Sequence, residues 1–245
     1  MLGPRRQLIL RDSVTLLVLV LSAVVLFAIT SFLFRSFAAR RMELGHEFSV
    51  SGQQALSQHD AELAIRDLRV SLSYAPDQAN TQLLAEALAQ AHHPNQAQAY
   101  FLSLLDSQPA DGFLNLQMAR LTRQQRDPQR AIRYYRAAAV GNWNDDSLNE
   151  RFQAQLELAD YLQEVGDLRS AHAELLVAAA DAPQNASAAA MIGQRFEQAR
   201  DLPEALKFYE KALKLSPKDA PALNGMRRVM QQMGEAAAAA EGATE

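Results

Sequence analysis

A recurring pair of residues, an alanine followed twelve positions later by a proline, constrains the fold of this chain more than any other feature. The prolines form two pairs with intervals of 33 and 34 residues, and the four alanine–proline pairs are Ala64 and Pro76, Ala97 and Pro109, Ala171 and Pro183, and Ala205 and Pro217. A period of about 34 residues is typical of a stacked array of helix–turn–helix units. Such arrays present an extended surface that usually binds a partner.

The last period, residues 186–219, shows the pattern most clearly. Gly193 and Ala205 are small, so two helices can approach each other closely where they cross. Phe196 and Tyr209 are large enough to fill the space beside them. Ala205 and Tyr209 are four residues apart and therefore share one face of a helix. Pro217 ends that helix because proline has no N–H to donate and its ring clashes with the preceding turn.

This segment closely resembles the tetratricopeptide repeat (TPR) family. Similar units occupy 45–77, 78–111, 112–151, 152–185 and 186–219, about seven-tenths of the chain. The resemblance implies an all-α fold in which a solenoid of five repeats spans 45–219. The unit 112–151 lacks its closing proline and carries Trp143 in an insertion. We also expect a capping helix over 220–234 and a disordered tail over 235–245, since the ends of a solenoid need covering.

A transmembrane helix is predicted near the start of the chain. The run from Ser13 to Phe34 has 22 residues and no charge, which as a helix is about 33 Å long and matches a hydrocarbon core of about 30 Å. Three arginines lie on each side of it, where they are tolerated. We assign residues 1–12 to a basic tail, 13–35 to the membrane-spanning helix and 36–44 to a juxtamembrane linker. The lipid bilayer is thus a predicted partner through 13–35.

A cleaved signal peptide is the alternative, because Ser36, Phe37 and Ala38 provide small residues at suitable spacing. The apolar run is longer than the usual signal core of about 7–15 residues, and Arg35 precedes that site. The sequence therefore favours an uncleaved single-pass anchor. The arginine counts on the two sides are equal, and only the free amino terminus favours a cytoplasmic N-terminus. A cytoplasmic N-terminus places the repeat domain outside the cytoplasm, which is the favoured orientation. The opposite orientation stays open.

The charge distribution and the absence of several known motifs argue against certain classes of function. Residues 1–41 carry a charge of +5 and residues 42–245 carry −9, which argues against nucleic-acid binding because that needs a basic face. The chain has no cysteine and no phosphate-binding loop, zinc-protease or serine-hydrolase motif. The pair His92 and His93 falls beside a turn, and Ser147 with Glu150 fits a helix-capping box better than a calcium loop. We predict no enzyme activity, no metal and no cofactor.

In the TPR family the first helix of each repeat lines a concave groove, and the resemblance places candidate partner-binding residues there. They are Gln82, Glu86, Phe113, Leu116, Gln117, Arg120, Arg123, Asp160, Glu164 and Gln194. No lysine lies among them, which departs from the clamp of TPR proteins that hold acidic chaperone tails. Pairing of Arg120 and Arg123 with Asp160 and Glu164 between adjacent repeats is the alternative. Trp143 either fills the gap left by the missing proline or serves as an exposed anchor for a partner.

These features predict a membrane-anchored TPR scaffold that binds proteins and assists secretion or the assembly of envelope or membrane complexes. A self-associating structural membrane protein is the alternative, because Ser22 and Ala23 would allow anchor helices to approach closely. The sequence does not identify the partner, the pathway or the oligomeric state.

Overall fold

The computed structural model describes residues 4–143 and 148–242, and within these ranges the regular structure is entirely helical. The helices are α1 (Pro4–Ser57), α2 (Ala61–Tyr74), α3 (Gln78–Gln90), α4 (Pro94–Ser107), α5 (Gly112–Gln124), α6 (Pro128–Val140), α7 (Leu148–Glu164), α8 (Leu168–Asp181), α9 (Ala186–Gln198), α10 (Leu202–Leu215) and α11 (Ala220–Gly242). The predicted all-α class is confirmed. The chain forms two compact units, residues 1–93 with α1 to α3 and residues 94–245 with α4 to α11.

Short polar side chains start most of these helices. Eight of them accept a hydrogen bond from the backbone N–H three residues later, and they are Asp60, Asp77, Asp111, Asp127, Asp167, Asn185, Asp201 and Asp219. Each bond satisfies one of the four N–H groups that the first turn of a helix leaves without a partner. The turns between helices can therefore be short.

Buried alanines let the paired helices approach each other. Ala64, Ala97, Ala131 and Ala205 are fully inaccessible to solvent, and Ala171 is nearly so. A large side chain lies four residues after each alanine and is also buried: Leu68, Phe101, Tyr135, Leu175 and Tyr209. This alternation of small and large residues is what the sequence pattern indicated.

Five tight turns contain a residue in the left-handed backbone region. His59, His92, Arg126 and Arg200 have φ between 58° and 64°, whereas the corresponding position in the α7–α8 turn is Gly166 with φ of 87°. A side chain costs about 1–2 kcal/mol in this region, and glycine has no such cost.

Introducing glycine at this left-handed turn position should stabilise the protein, and removing glycine from it should destabilise the protein. Arg126→Gly should stabilise the protein by about 0.5–1 kcal/mol, because relief of left-handed strain exceeds the added entropy of the unfolded chain. Gly166→Ala should destabilise it by about 1–2 kcal/mol. Thermal unfolding of the full chain in mild detergent, followed by circular dichroism, measures both. Changes of the same sign in the two variants would contradict this account.

In the first unit, α1 is one continuous helix of 54 residues. It includes the predicted membrane-spanning segment 13–35, the predicted linker 36–44 and the first helix of the first repeat. The linker is therefore helical, and the reason is local, since it contains neither proline nor glycine to break the helix. The Arg41 guanidinium donates to the carbonyl oxygens of Ser73 and Tyr74 at 3.2 and 3.0 Å, which joins α1 to the end of α2.

One described helix is long and apolar enough to cross a membrane, and it is α1. Its apolar window has a mean hydropathy of 2.0, and none of that window is buried within the protein. Two of its hydroxyls are bonded inside the helix, with Ser22 and Thr30 donating to the carbonyls of Leu19 and Leu26. These bonds satisfy polar groups within the helix itself, a condition that any helix in a bilayer must meet.

In the second unit, the insertion after α6 pairs with the loop before α5. The Gly112 N–H donates to the Asn142 carbonyl at 2.9 Å, and the Asn142 N–H donates to the Ala110 carbonyl at 2.7 Å. The Trp143 indole is half-buried, packs against Gly112 and donates to the Ala138 carbonyl at 2.8 Å. This geometry favours the packing role of Trp143. Ser147 of the predicted capping box lies outside the described residues.

The C-terminal helix α11 packs on α9 and α10, as a capping helix must. Val229 and Ala222 are its fully buried contacts. The helix continues beyond the predicted boundary at residue 234 to Gly242. The added residues are mostly alanine, which has the highest helix propensity, so the predicted disordered tail is helical over this range.

Candidate protein-binding site

The first helices of the second unit, α5, α7, α9 and α11, are joined by arginine–carboxylate pairs. We call these the inter-repeat ion pairs: Arg120 with Glu157 at 2.6 Å, Arg123 with Glu164 at 2.6 Å, Arg195 with Asp160 at 3.0 Å, and Arg228 with Glu197 at 2.8 Å. Each step from one first helix to the next contains at least one such pair. Arg120 binds Glu157 through two nitrogens, a geometry that gives both strength and orientation.

Two buried tyrosines extend these pairs into the core. The Tyr135 hydroxyl donates to Glu157 at 3.3 Å, and the Tyr209 hydroxyl donates to Glu197 at 2.6 Å. Burial raises the pKa of Tyr135 to about 12, so its hydroxyl remains protonated and able to donate at neutral pH. Each tyrosine therefore holds an ion-paired glutamate in place from the core side.

The ion pairs change the interpretation of the predicted groove charges. Arg120, Arg123, Asp160 and Glu164 were candidates for contacting a partner, and each of them instead has an intramolecular partner of opposite charge. The arrangement agrees with the alternative of pairing between adjacent repeats. Two of the partners differ from those expected, because Arg120 pairs with Glu157 and Asp160 pairs with Arg195. The basic and acidic segments thus neutralise each other across α5, α7 and α9.

Acid should weaken the Glu197–Arg228 pair selectively. The hydrogen bond from Arg228 lowers the pKa of Glu197 below its ordinary value. A lowered pKa in the folded state means that the stabilisation is present above the unfolded pKa of about 4.3 and is lost as the pH falls through the folded pKa. We expect Arg228→Gln to lower the melting temperature at about pH 6 and to have little effect at about pH 3. An equal effect at both pH values would contradict this assignment.

The remaining predicted groove residues have different environments. In the first unit, Gln82 donates to Glu86 at 3.1 Å along α3. In the second unit, Phe113 and Gln117 on α5 are half-buried, and Gln194 on α9 is exposed. Leu116 is only 3% exposed and lies in the core with Ala131 and Tyr135, so the predicted apolar surface patch of Phe113 and Leu116 is reduced to Phe113.

A groove follows α9 on the face of the first helices. An open pocket of about 250 Å³ lies between α7 and α9, and two further pockets of about 350 and 400 Å³ lie between α9 and α11. We call this the α9 groove and define it by residues that line these pockets: Gln153, Ser187, Met191, Gln194, Gln198, Asn224 and Gln232. Its lining is rich in side-chain amides, which can donate and accept hydrogen bonds at once.

Sequence reasoning missed part of this groove. Asn224, Arg228 and Gln232 line it from α11, a helix that was expected only to cover the end of the repeats. These residues recur every four positions and share one face of the helix, so their periodicity was visible in the sequence. Their alignment with Gln194 of α9 depends on how α11 docks, which the sequence pattern did not specify.

Among residues 4–143 and 148–242, no cluster of three or more His, Asp or Glu side chains is arranged to hold a metal ion. The pockets of the α9 groove are also lined by charged residues, namely Arg228, which is paired with Glu197, together with Arg200 and Asp219. The groove can therefore form hydrogen bonds through its amides and an apolar contact through Met191.

Comparison with known proteins gives structural likeness alone. No family model matches the sequence, and no curated protein matches it. Among solved structures, PilF of Pseudomonas aeruginosa is 17% identical with a TM-score of 0.59, and the match covers 82% of this chain and 89% of PilF. MamA is 19% identical with a TM-score of 0.54, covering 73% of this chain and 94% of MamA. Yeast Tom70 is 16% identical with a TM-score of 0.56, covering 77% of this chain and 39% of Tom70.

These likenesses and the consecutive helix pairs define the class of protein. The chain has the fold of a TPR solenoid, as the resemblance of its repeats implied. At identities below one-fifth, the comparison extends to the fold and not to the ligands of the neighbours.

Proposed function

We propose that this protein is a membrane-anchored, non-enzymatic scaffold that binds an extended segment of a partner protein in the α9 groove. The anchor is the apolar part of α1, residues 13–35, and the repeat domain lies outside the cytoplasm. Tethering would raise the effective concentration of the scaffold near other membrane proteins without stronger contacts. Secretion or the assembly of envelope or membrane complexes is the process that such an arrangement would assist.

One observation carries this proposal, the amide-rich lining of the α9 groove, in which the two cations Arg200 and Arg228 are matched in number by the two acids Glu197 and Asp219. Four arginines and four carboxylates of the first helices are used in the inter-repeat ion pairs. Gln194 and Gln198 remain exposed beside the half-buried Met191. Side-chain amides match the N–H and C=O groups of an extended main chain, and a methionine adapts to different apolar side chains. The groove therefore fits an uncharged protein segment better than an acidic tail.

The continuity of α1 supports the membrane part of the proposal. The same helix contains the apolar segment and the first helix that packs on α2. The Arg41 bonds to Ser73 and Tyr74 fix the two helices close to the basic edge of that segment. The first repeat would therefore be positioned directly at the bilayer surface.

A groove variant with a matched surface control tests the proposal. Full-length protein is purified from membranes in mild detergent after crosslinking, and the bound proteins are quantified by mass spectrometry. We expect Gln194→Arg to reduce a reproducible partner at least about tenfold, because it adds a positive charge to a groove whose charged residues otherwise balance. Gln129→Arg, at an exposed position of α6, should leave the partner unchanged. Absence of any reproducible partner, or equal losses in both variants, would refute the proposal.

A further inference from the structure

The outward face of α8 is apolar, although it is exposed to solvent. We call it the α8 stripe and define it by Ala173, Leu176, Val177 and Ala180, which recur at one-turn intervals on one side of the helix. Leu176 is 45% exposed and Val177 is 50% exposed. The opposite side of α8 packs into the core through Ala171, Leu175 and Ala178. Both sides of this helix are therefore apolar, and the core uses only one of them.

The equivalent positions of the neighbouring second helices contain charges. In repeat register, the α8 stripe corresponds to Arg133, Arg136, Ala137 and Val140 of α6 and to Lys207, Glu210, Lys211 and Lys214 of α10. The repeat fold thus places this face in water and is compatible with charged residues there. An apolar face of this kind indicates an interaction surface rather than a requirement of folding.

Basic residues flank the α8 stripe on both sides. Arg136 of α6 faces Glu174 of α8 at 3.8 Å, and His172 of α8 bonds to Asp201 at the start of α10 at 2.9 Å, so the three helices are neighbours. At the positions of α6 and α10 that are equivalent to the stripe, five residues are cations and one is an acid: Arg133, Arg136, Lys207, Lys211 and Lys214 against Glu210. This local excess is opposite in sign to the charge of −9 over residues 42–245.

We propose that the α8 stripe binds an amphipathic helix of a partner protein, with an apolar face bordered by acidic residues. Leu176 and Val177 supply the apolar contact, and the small Ala173 and Ala180 beside them allow another helix to approach closely. The flanking arginines and lysines complement acids on both borders of that helix. This surface is on the second helices and is independent of the α9 groove.

The composition of the stripe favours a helix over a lipid surface. Helices that lie in the membrane interface usually insert large apolar side chains such as Trp, Phe and Leu. The α8 stripe has two aliphatic side chains between two alanines and no aromatic residue. Such a shallow surface fits the ridges of a second helix, whose side chains fill the space above the alanines.

The test uses the full chain in nanodiscs of zwitterionic phosphatidylcholine and a designed probe. The probe is a fluorescein-labelled helical peptide of about 18 residues, or five turns, with a leucine and alanine face bordered by glutamates. A matched peptide has lysines in place of the glutamates. Fluorescence anisotropy should show that the glutamate peptide binds at least about tenfold more tightly than the lysine peptide, with an affinity that falls as salt is raised.

Variants on the two faces separate this proposal from the proposed function. Leu176→Ser combined with Val177→Ser should weaken the glutamate peptide about tenfold or more, because it removes the exposed apolar contact. Gln194→Ser in the α9 groove should have no effect on this peptide. Equal binding of the two peptides, or unchanged binding by the double variant, would overturn the proposal. Two other outcomes would also overturn the proposal if the glutamate peptide does not bind. One is recruitment to phosphatidylserine vesicles that depends on Leu176 and Val177, and the other is self-association that depends on the same two residues.

Discussion

Replacing Tyr209 with alanine is expected to lower the free energy of unfolding of the second unit by about 3–5 kcal/mol, the usual cost of removing a buried aromatic ring. The Tyr209 ring is 1% exposed and lies between α9 and α11. Gly193 and Gly225 face this ring so closely that neither position has room for a β-carbon without a shift. No side chain at these two positions can therefore fill the cavity. The hydroxyl bond to Glu197 at 2.6 Å would also be lost.

Two companion variants separate the ring from its hydroxyl. Tyr209→Phe keeps the ring and should cost only about 1.5 kcal/mol, the lower end for a hydrogen bond to a charged group. Gly225→Ala should cost about 1–3 kcal/mol by overpacking the same contact. Thermal unfolding of the full chain in mild detergent measures all three, and hydrogen exchange in α11 should increase in Tyr209→Ala. If alanine cost no more than phenylalanine, the ring would not be the main contact of α11.

Placing two arginines in the apolar part of α1 is expected to release the protein from membranes. Leu21→Arg combined with Val25→Arg puts both charges near the middle of the segment, where each costs about 2.5–3.5 kcal/mol on insertion scales. The combined cost of about 5–7 kcal/mol corresponds to a change of roughly four orders of magnitude in partitioning. Fractionation of cells after washing the membranes with alkaline carbonate measures the distribution.

The control for the anchor prediction places the same charges elsewhere. Ser103→Arg combined with Gln129→Arg changes two exposed positions on α4 and α6 and should leave the protein in the membrane fraction. If the unmodified protein were itself in the soluble fraction, membrane anchoring would be refuted. A mature N-terminus just after Ala38 would then identify the segment as a cleaved signal peptide.

Most of the helix architecture was predictable because it depends on local and periodic properties. Asp60, Asp127, Asp167 and Asp201 each stand immediately before the second helix of a repeat and cap that helix. The spacing of small and large residues indicated which side of each helix is buried. The linker 36–44 was predicted as a separate segment, and in the structure it belongs to one continuous helix, α1. Its composition favours helix, and the separation was based on function rather than on residues that break helices.

The candidate site was less predictable because it depends on which residues meet across repeats. The sequence placed Arg120 and Asp160 on the same face, and the structure pairs Arg120 with Glu157 and Asp160 with Arg195. Leu116 was assigned to the surface, but it is buried, as are Leu156 and Ala190 at the equivalent position of the next two repeats. This position packs into the core of the stack rather than onto the groove.

By itself, the sequence determined the helical class, the period of the repeats, the buried alanines and the apolar segment of α1. These properties follow from hydrophobic periodicity and from steric rules that act over a few turns of chain. Only the tertiary structure decided which charges are neutralised, how α11 completes the α9 groove and which outward helix face is left apolar among basic neighbours. Those outcomes depend on distances between side chains that are far apart in sequence, such as Arg228 and Glu197, which are separated by 31 residues. The packing of one helix pair on the next sets these distances, and no local preference specifies them.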